Sequence, residues 1–430
     1  MSHNGRDFVT NLGAKLATRS RHVCAFFGAG VSKACGLPDV GDLQKGVLAS
    51  LEGANSALLT KQLNKRNLEQ ALSRIRRIAA LLKDSQPSAG QEDSIDGLTA
   101  LQADTLDELV CQAIVSELEI SRADLKPMLD FAAWAARTDY HSPLEIFTVN
   151  YDLLLERALE EWQVPYFDGF IGTLIARFRT ELVEPSPGAE CMPGFFVRLW
   201  KIHGSLNWEW DEKHTILRRG NPVPKSAAIY PSDTKYDESR RIPFVVLQDR
   251  FRRALHQPET LTLISGYSFG DEHLNEIIYD AASRRERSEI IVFCYSSIPA
   301  ELAERAARTP NIQVITGEEA IIGGVRDSWV MPQEELLSGF WVDGKFAFRD
   351  FKYLAGYLAK SVLKEEDRAT ASSGPASTFP GASLPASKIP AAKVPPSKIP
   401  AATFPVAAGF TSTHTPAPIG PTAQSKSTDA

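Results

Sequence analysis

Four short polar segments carry residue types that could bind a nucleotide and act on it chemically. In chain order they are Gly28-Ala29-Gly30-Val31-Ser32, Thr148-Val149-Asn150-Tyr151-Asp152, Lys201-Ile202-His203-Gly204-Ser205 and Ser265-Gly266-Tyr267-Ser268-Phe269-Gly270-Asp271. Each of them comes at the end of a short apolar run. Ligands of open parallel sheets bind at the carboxyl ends of the strands, so this repeated position indicates one shared binding cleft.

The first segment has the composition of a phosphate-binding turn. Glycine lets the backbone approach a pyrophosphate closely, and the N-terminus of a following helix supplies N–H donors and positive potential. Tight turns also need glycine when no ligand is present. Gly28 and Gly30 taken alone therefore indicate only a turn.

The other three segments add side chains with specific chemistry. Asn150 offers a donor and an acceptor and Asp152 an acceptor, although the same residues could simply cap the helix predicted from Leu153. His203 is a candidate general base because histidine titrates near neutral pH, although any one of eight histidines is more often structural. The last segment offers a hydroxyl and a carboxylate suited to ribose, or else a turn in which Asp271 caps the next helix.

The apolar runs predict an α/β fold, a Rossmann-like doubly wound parallel sheet. Most runs are rich in β-branched or aromatic residues and do not alternate, as is typical of strands buried on both faces. Helical stretches at Leu153–Trp162, His273–Arg285 and Pro299–Arg308 separate several of them, which favours a parallel sheet. The predicted strands are Val23–Phe27, Glu145–Val149, Phe196–Ile202, Leu261–Ser265, Ile290–Cys294 and Ile312–Ile315.

The long interval between the first two strands predicts a helical module inserted at about residues 42–140 of a domain that spans residues 1–316. Asn67 with Gln70 predicts a capping box at one helix start, and Thr105 with Glu108 predicts a second. We expect this module to cover one side of the cleft.

The remaining chain divides into a partly helical extension over 317–365 and a tail over 366–430. In the extension, Phe351, Leu354, Leu358 and Val362 form one stripe that predicts core packing, with docking of another subunit as the alternative. In the tail a proline falls at every fifth position from 375 to 405, which predicts an extended, disordered Pro/Ala-rich segment. The tail is either a flexible tether or a repeated motif for a partner groove.

Composition restricts the class of protein. The net charge of −6 gives no overall attraction to nucleic acid, so direct nucleic-acid binding stays undecided. The five cysteines contain no C-x-x-C pair, which favours free thiols in a reducing cytoplasm. No apolar stretch reaches the length of a membrane span. We therefore expect a cytoplasmic protein without a membrane partner.

Taken in order, the four segments resemble those of sirtuins: glycine-alanine-glycine-x-serine, threonine-x-asparagine-x-aspartate, histidine-glycine and glycine-x-serine. The resemblance spans Val23 to Ser296 and is strongest to the bacterial sirtuin-like proteins of anti-phage defence. The shared forms include Lys201-Ile202-His203-Gly204-Ser205-Leu206-Asn207-Trp208, Tyr230-Pro231 and Gly266-Tyr267-Ser268-Phe269-Gly270-Asp271.

The resemblance implies that NAD, as a substrate, lies across the strand ends. It implies that Asn150 orients a water and that His203 accepts a proton from a ribose hydroxyl or from that water. Cleavage of the nicotinamide–ribose bond then develops oxocarbenium character, as in glycoside hydrolysis, and gives nicotinamide and ADP-ribose. The implied binding residues are Gly28, Ala29, Gly30 and Ser32 for the pyrophosphate, Gly266, Ser268 and Asp271 for the adenosine ribose, and Asn150 with Asp152 for the nicotinamide end.

Two departures from sirtuins favour hydrolysis of NAD over protein deacylation. Deacylating sirtuins insert a four-cysteine zinc ribbon after the catalytic histidine, whereas no cysteine lies between Cys191 and Cys294 here, so no zinc is expected. Sirtuins also follow the proline–aspartate after the first loop with phenylalanine and arginine, whereas Pro38-Asp39 is followed by Val40-Gly41. We expect an NAD glycohydrolase that depletes NAD in anti-phage defence.

Three other functions stay open at this point. The first is an NAD-dependent protein deacylase, and the second is an NAD or ADP-ribose sensor that consumes neither. The third is an assembly component, such as a nuclease, that acts with a hexameric DNA-translocating ATPase encoded nearby. Residues 317–364 are too few for a full sensor domain, which favours a separate partner and a homo-oligomer.

Overall fold

The computed structural model describes residues 2–84, 93–184, 193–211, 215–223, 242–284, 287–331 and 339–361. The predicted tail over 366–430 lies outside the described residues, as do Val362, Cys191 and the Tyr230-Pro231 pair.

The elements of the described ranges follow in chain order. The strands are β1 His3–Asn4, β2 Val23–Phe27, β3 Glu145–Thr148, β4 Tyr166–Phe167, β5 Phe170–Ile171, β6 Ala176–Phe178, β7 Val197–Lys201, β8 Trp208–Trp210, β9 Ile216–Arg218, β10 Leu261–Ser265, β11 Glu289–Phe293, β12 Ile312–Ile315, β13 Glu319–Ile322, β14 Val325–Val330, β15 Trp341–Val342 and β16 Lys345–Phe346. The α-helices are α1 Gly5–Leu16, α2 Ala29–Ala34, α3 Val40–Ser50, α4 Gly53–Leu63, α5 Leu68–Asp84, α6 Ala100–Glu117, α7 Lys126–Arg137, α8 Leu154–Glu161, α9 Thr180–Val183, α10 Phe244–Leu255, α11 Glu272–Arg284, α12 Ala300–Arg308 and α13 Phe351–Ser361.

One large sheet forms the centre of the fold, with the strand order β1-β14-β13-β12-β11-β10-β2-β3-β7-β4. Strands β12 to β10, β2, β3, β7 and β4 run parallel, and antiparallel pairing joins β12, β13 and β14. From β2 the chain moves outward through β3 and β7, and it then returns to the other side of β2 at β10. The boundary between β2 and β10 is thus the topological switch point, where open α/β sheets bind ligands.

The six predicted strands are confirmed, because their apolar runs are buried on both faces. Strands β2, β3 and β10 are buried at every position. Their register also aligns their carboxyl ends, since Phe27 pairs with Ser265 on one side and with Thr148 on the other, and Thr148 pairs with Lys201. The four polar segments of the sequence therefore emerge side by side along one edge of the sheet.

Helices α3 to α6 share an apolar core of their own that also includes Tyr151 and Leu206. The capping box at the start of α5 is confirmed by bonds in both directions between Asn67 and Gln70. The second predicted capping box, Thr105 with Glu108, is wrong: the cap of α6 lies six residues earlier, where Thr99 and Gln102 cap each other. The Thr105 hydroxyl instead donates to Leu101 O inside the helix.

The stripe of the C-terminal extension is core packing, as predicted. Phe351, Leu354 and Leu358 are all buried, and α13 packs along α7 on one face of the large sheet. A separate antiparallel sheet has the strand order β5-β6-β9-β8. Among the helices that the structure describes, none combines the length and the hydropathy that a membrane span needs.

Candidate active site at the ends of four strands

The carboxyl ends of β2, β3, β7 and β10 border one open cleft with a volume of about 2170 Å³. Small-molecule sites usually measure about 300–1,000 Å³, so a dinucleotide would occupy only part of it. Nine of the ten residues singled out in the sequence line this cleft: Ala29, Gly30, Ser32, Asn150, Asp152, His203, Gly266, Ser268 and Asp271. The tenth, Gly28, packs beneath Gly266 and Tyr267.

The two glycine segments interlock at the switch point. Gly30 N donates to Gly266 O at 2.9 Å, and Gly28 N donates to Ser265 O at 3.1 Å. A Cβ atom on Gly30 would lie 2.7 Å from Gly266 Cα, and Gly266 itself has a φ of +66°. The glycines are therefore required by the contact between the two loops, in addition to any approach of a ligand.

This contact predicts that Gly266→Ala is far more costly than alanine at an unhindered glycine of similar conformation. The left-handed backbone costs roughly 1–2 kcal/mol for an L-residue, and the new Cβ would overlap Val31 N, which adds a backbone shift. We expect a loss of about 2–4 kcal/mol in the free energy of unfolding by urea titration. Gly323→Ala is the matched control, since Gly323 has a φ of +60° and nothing within 4 Å of the added Cβ. Equal losses in the two variants would contradict the interlock.

Ser32, Asn150 and Asp152 form one hydrogen-bonded group across β2 and β3. Ser32 Oγ donates to Asp152 Oδ2 at 2.6 Å, and Asn150 Nδ2 donates to Ser32 Oγ at 2.9 Å and to Gly28 O at 3.0 Å. Asp152 Oδ1 also accepts from Leu154 N at 3.1 Å, so the residue caps its helix as well. The structure thus confirms the helix-capping role of Asp152, whereas its contact with a ligand stays a prediction.

The group fixes which way the Asn150 amide faces. Its nitrogen must point at the carbonyl of Gly28, because a carbonyl can only accept a hydrogen bond. The side-chain oxygen of Asn150 is then the atom that can accept a hydrogen bond from a molecule in the cleft. Asn150 is partly buried, and its backbone N–H is held by Thr148 Oγ1 at 3.0 Å, so the side chain is well fixed in place.

Tyr151 connects this group to the helical core. Its side chain packs with α3 to α6 and its hydroxyl donates to Glu69 in the first turn of α5. Burial, together with the Glu69 charge, raises the pKa of the Tyr151 hydroxyl well above its ordinary value. The hydroxyl therefore stays protonated and remains a hydrogen-bond donor at neutral pH.

Lys201 binds the backbone carbonyls of Tyr151 and Asp152. Its Nζ donates to Tyr151 O at 3.4 Å, to Asp152 O and to Glu156 Oε1 at 2.9 Å, and its side chain is only 3% exposed. Burial raises the pKa of Glu156, and the Lys201 charge opposes that rise. The ion pair is thus enclosed, and its cation is directed at the two carbonyls that follow Asn150.

His203 and Asp271 meet across the sheet edge. His203 Nε2 lies 3.4 Å from Asp271 Oδ2, and the two side chains are 16% and 13% exposed. His203 follows β7, which neighbours β3, so the imidazole and the Asn150 amide follow adjacent strands and line one cleft. The cleft thus contains an imidazole and a fixed hydrogen-bond acceptor.

The C-terminal extension contributes part of the cleft wall through Arg349, Asp350 and Phe351. The Arg349 guanidinium lies 4.6 Å from the ring centre of Tyr295, and its Nη1 donates to Tyr295 O at 3.1 Å.

Within the described ranges no group of three His, Cys, Asp or Glu side chains is placed to hold a metal ion.

Sequence reasoning missed two residues that shape this site, Lys201 and Tyr151. Both lie inside the polar segments at residues 148–152 and 201–205, but the motifs assign neither of them a function. For Lys201 a signal exists: a lysine inside an otherwise apolar strand run must be buried, and buried charges are paired. For Tyr151 no such signal exists, because its partner Glu69 lies 82 residues earlier in the chain.

The comparison with protein families gives one match. Residues 144–315 match the family model of the SIR2-like domain, a family that uses NAD and whose members are typically NAD-dependent enzymes. The matched range contains Asn150, Asp152, His203 and Asp271, and it begins after the glycine segment at residues 28–32. The comparison with curated proteins gives no match.

Proposed function

We propose that this protein is an NAD glycohydrolase that cleaves the nicotinamide–ribose bond and releases nicotinamide and ADP-ribose. One observation carries the proposal: a fixed amide acceptor, Asn150, and a histidine, His203, lie at neighbouring strand ends in a cleft at the switch point of a doubly wound sheet. The match to the SIR2-like domain, a family that uses NAD, supports the identity of the substrate.

NAD and one water molecule supply all the atoms of the two products. The bond between the nicotinamide nitrogen and C1′ of the ribose breaks, and its electron pair neutralises the positive charge of the nicotinamide ring. Asn150 Oδ1 orients the attacking water by accepting one of its hydrogen bonds, and the water oxygen bonds to C1′. His203 accepts the proton that the water loses, which leaves ADP-ribose as the second product.

The residues present fit a dinucleotide in part. Ala29, Gly30, Gly266 and Ser268 line the cleft where the two loops interlock, and glycine at this place allows close approach of a pyrophosphate. Ser32 donates to Asp152 and accepts from Asn150, which favours a positioning role for Ser32 and Asp152. The anti-phage role, through depletion of NAD, is a further proposal that rests on the resemblance of the motifs.

Incubation of the purified protein with NAD, with quantification of nicotinamide and ADP-ribose, tests the proposal. We expect Asn150→Ala and His203→Ala each to lower turnover by about 10²-fold or more. His141→Ala is the matched control, since His141 is an exposed histidine away from the cleft. Full turnover in both site variants would contradict the assigned roles, and intact NAD in every assay would contradict the activity.

Further measurements distinguish the other candidate functions. A deacylase would release O-acetyl-ADP-ribose only when an acyl-lysine peptide is added. A sensor would bind NAD or ADP-ribose in calorimetry without consuming it. A homo-oligomer and a DNA-translocating ATPase as a partner remain predictions, to be tested by light scattering and by assays with and without the product of the neighbouring gene.

A further inference from the structure

We propose that Asp271 is a positioning residue for His203 and that it does not bind the adenosine ribose. The proposal rests on the proposed function, because it gives His203 the role of proton acceptor. It replaces the role that the motif resemblance implies for Asp271.

Both carboxylate oxygens of Asp271 already have partners at this end of the sheet. Oδ1 accepts from His273 N at 3.0 Å and from Leu274 N at 3.4 Å, so it caps α11. Oδ2 lies 3.4 Å from His203 Nε2. Oδ1 already accepts two hydrogen bonds of the helix cap, so a ribose hydroxyl would have to use Oδ2 and share it with the imidazole.

The loop that carries Asp271 is held so that the carboxylate cannot easily turn elsewhere. Phe269 has a φ of +58°, a conformation that costs energy for a residue with a side chain. Asn275 Nδ2 donates to Phe269 O at 2.9 Å, and Tyr267 OH lies 3.0 Å from Asn275 Oδ1 and 3.2 Å from Asp271 O. Such strain persists only where surrounding contacts over-determine it, as these contacts do, and it is common at functional sites.

The interlock fixes the other end of the loop. Gly266 is wedged against Gly30 and Val31, and Asn275 at the far end is 3% exposed. The segment from Gly266 to Asp271 is therefore a rigid arm between the glycine turn and α11. It brings a carboxylate from β10 to a histidine that follows β7, across the two intervening strands β2 and β3.

A carboxylate beside an imidazole acts on it in two ways. It holds the proton of the neutral ring on the nitrogen that it faces, and it stabilises the imidazolium that forms when the ring accepts a second proton. Here it faces Nε2, so Nδ1 keeps the lone pair that takes the proton from water. Asp271 therefore sets both the tautomer and the orientation of His203.

Three measurements on Asp271→Asn test this role. We expect kcat for NAD cleavage to fall by about 10²-fold or more, while Kd for ADP-ribose in calorimetry changes less than about threefold. We also expect Asp271→Asn to have no further effect on turnover in the His203→Ala background, since a residue that acts through His203 loses its effect with it. Asp139→Asn, at an exposed aspartate that does not line the cleft, is the matched control and should leave both quantities unchanged.

The opposite pattern would overturn the proposal. If Asp271 held the adenosine ribose, Asp271→Asn would weaken ADP-ribose at least tenfold, and the same loss would appear in the His203→Ala background. Equal turnover of Asp271→Asn and wild type would overturn it as well.

A spectroscopic readout keeps this inference separate from the proposed function. In protein labelled with ¹⁵N-histidine, the long-range ¹H–¹⁵N spectrum reports which ring nitrogen of His203 carries the proton, and His203→Gln assigns the signal. We expect the Nε2–H tautomer in wild type and a shift toward Nδ1–H in Asp271→Asn. An unchanged tautomer contradicts the role of Asp271, whereas failure to cleave NAD contradicts only the proposed activity.

Discussion

Lys201→Met is expected to lower the free energy of unfolding by about 3–5 kcal/mol and to reduce NAD cleavage by the remaining folded protein. Removal of one partner of a buried ion pair leaves the other charge uncompensated, and losses of this size are usual for that change. Here Glu156 would be left enclosed, and the carbonyls of Tyr151 and Asp152 would lose their donor. Urea denaturation and initial rates of nicotinamide release measure the two effects.

A double variant separates stability from positioning. In Lys201→Met/Glu156→Leu neither member of the buried pair carries a charge, and apolar pairs of similar volume often match the stability of the ion pair they replace. We expect the double variant to recover most of the lost stability. Its turnover should stay low, since no donor then holds the carbonyls that follow Asn150.

Two outcomes would contradict this account of Lys201. Turnover that returns together with stability would show that the lysine only balances Glu156. A small effect of Lys201→Met on unfolding, similar to that of Lys126→Met, would show that the ion pair is not enclosed. Lys126 is a suitable comparison because it pairs with Asp130 on an exposed helix face, where a pair contributes at most about 1 kcal/mol.

The centre of the fold was predictable because its signal is local. Strands buried on both faces read as uninterrupted apolar runs, and β2, β10 and β12 begin and end at the predicted residues. The antiparallel extension through β13 and β14 was not predicted. β14 is largely exposed and carries Arg326, Asp327 and Ser328 in sequence, so no apolar run marks it.

Helix starts were predicted less well than strands. Asn67 and Gln70 were identified because nothing nearby competes with them. Thr105 and Glu108 have the same spacing as a capping box, but a helix that already begins at Ala100 places both in its interior. A capping pattern therefore identifies a helix start only when the preceding turn is not itself helical.

Within the candidate site, the sequence identified which residues gather but not how they pair. Asn150, His203 and Asp271 all lie at strand ends, which is a local property. The contact of Asp271 with His203 depends on the distance across β2 and β3 and on the conformation of Phe269, and neither is encoded at one position. The order of the motifs thus predicts which residues line the cleft. The role of each residue can be assigned only from the geometry of the side chains.

Glu145→Gln is expected to destabilise the protein by about 3–5 kcal/mol without an effect on the chemistry of the cleft. Glu145 begins β3, at the end of the sheet opposite to the cleft, and is 1% exposed. Arg250 binds its two oxygens at 2.6 and 2.7 Å, Trp200 Nε1 donates at 2.7 Å, and His22 Nε2 lies at 3.0 Å. Loss of the charge would leave Arg250 and His22 without their counter-ion.

Glu319→Gln is the matched control for that substitution. Glu319 also binds an arginine with both oxygens, at 2.8 and 2.6 Å to Arg326, but the arginine side chain is 53% exposed. Exposed pairs contribute about 0–1 kcal/mol. Similar losses in the two variants would show that burial does not set the strength of the Glu145 pair.

The hydrogen bonds around His22 favour a protonated ring. Thr260 Oγ1 donates to Gln257 O at 2.8 Å, so its oxygen can only accept from His22 Nδ1, at 3.2 Å, while the Glu145 carboxylate accepts from Nε2. Burial alone would lower the pKa of His22, but its contacts with Cys24 and Glu145 outweigh burial and raise it to about 10. Burial also raises the pKa of the Cys24 thiol, and the neighbouring His22 charge opposes that rise.

These shifts predict a stability maximum between about pH 4.5 and 6.5. Burial would raise the pKa of Glu145, but Arg250 first and then His22 lower it from 4.5 to about 2. This contribution, about 3 kcal/mol, is complete above pH 4.5 and is lost as the pH falls toward 2. For His22 the folded pKa lies above the unfolded value of 6.5, so its contribution is complete below pH 6.5 and is lost as the pH rises through about 10.

The alkaline side can be tested with His22→Gln, by urea denaturation at pH 6 and at pH 9.5. We expect the difference in unfolding free energy between wild type and the variant to shrink by several kcal/mol from the lower to the higher pH, since wild type alone loses the His22 contribution. His141→Gln, at an exposed histidine, should track wild type at both values. A difference that stays constant between pH 6 and 9.5 would mean that His22 is already neutral in the folded protein, and that Glu145 is balanced by Arg250 alone.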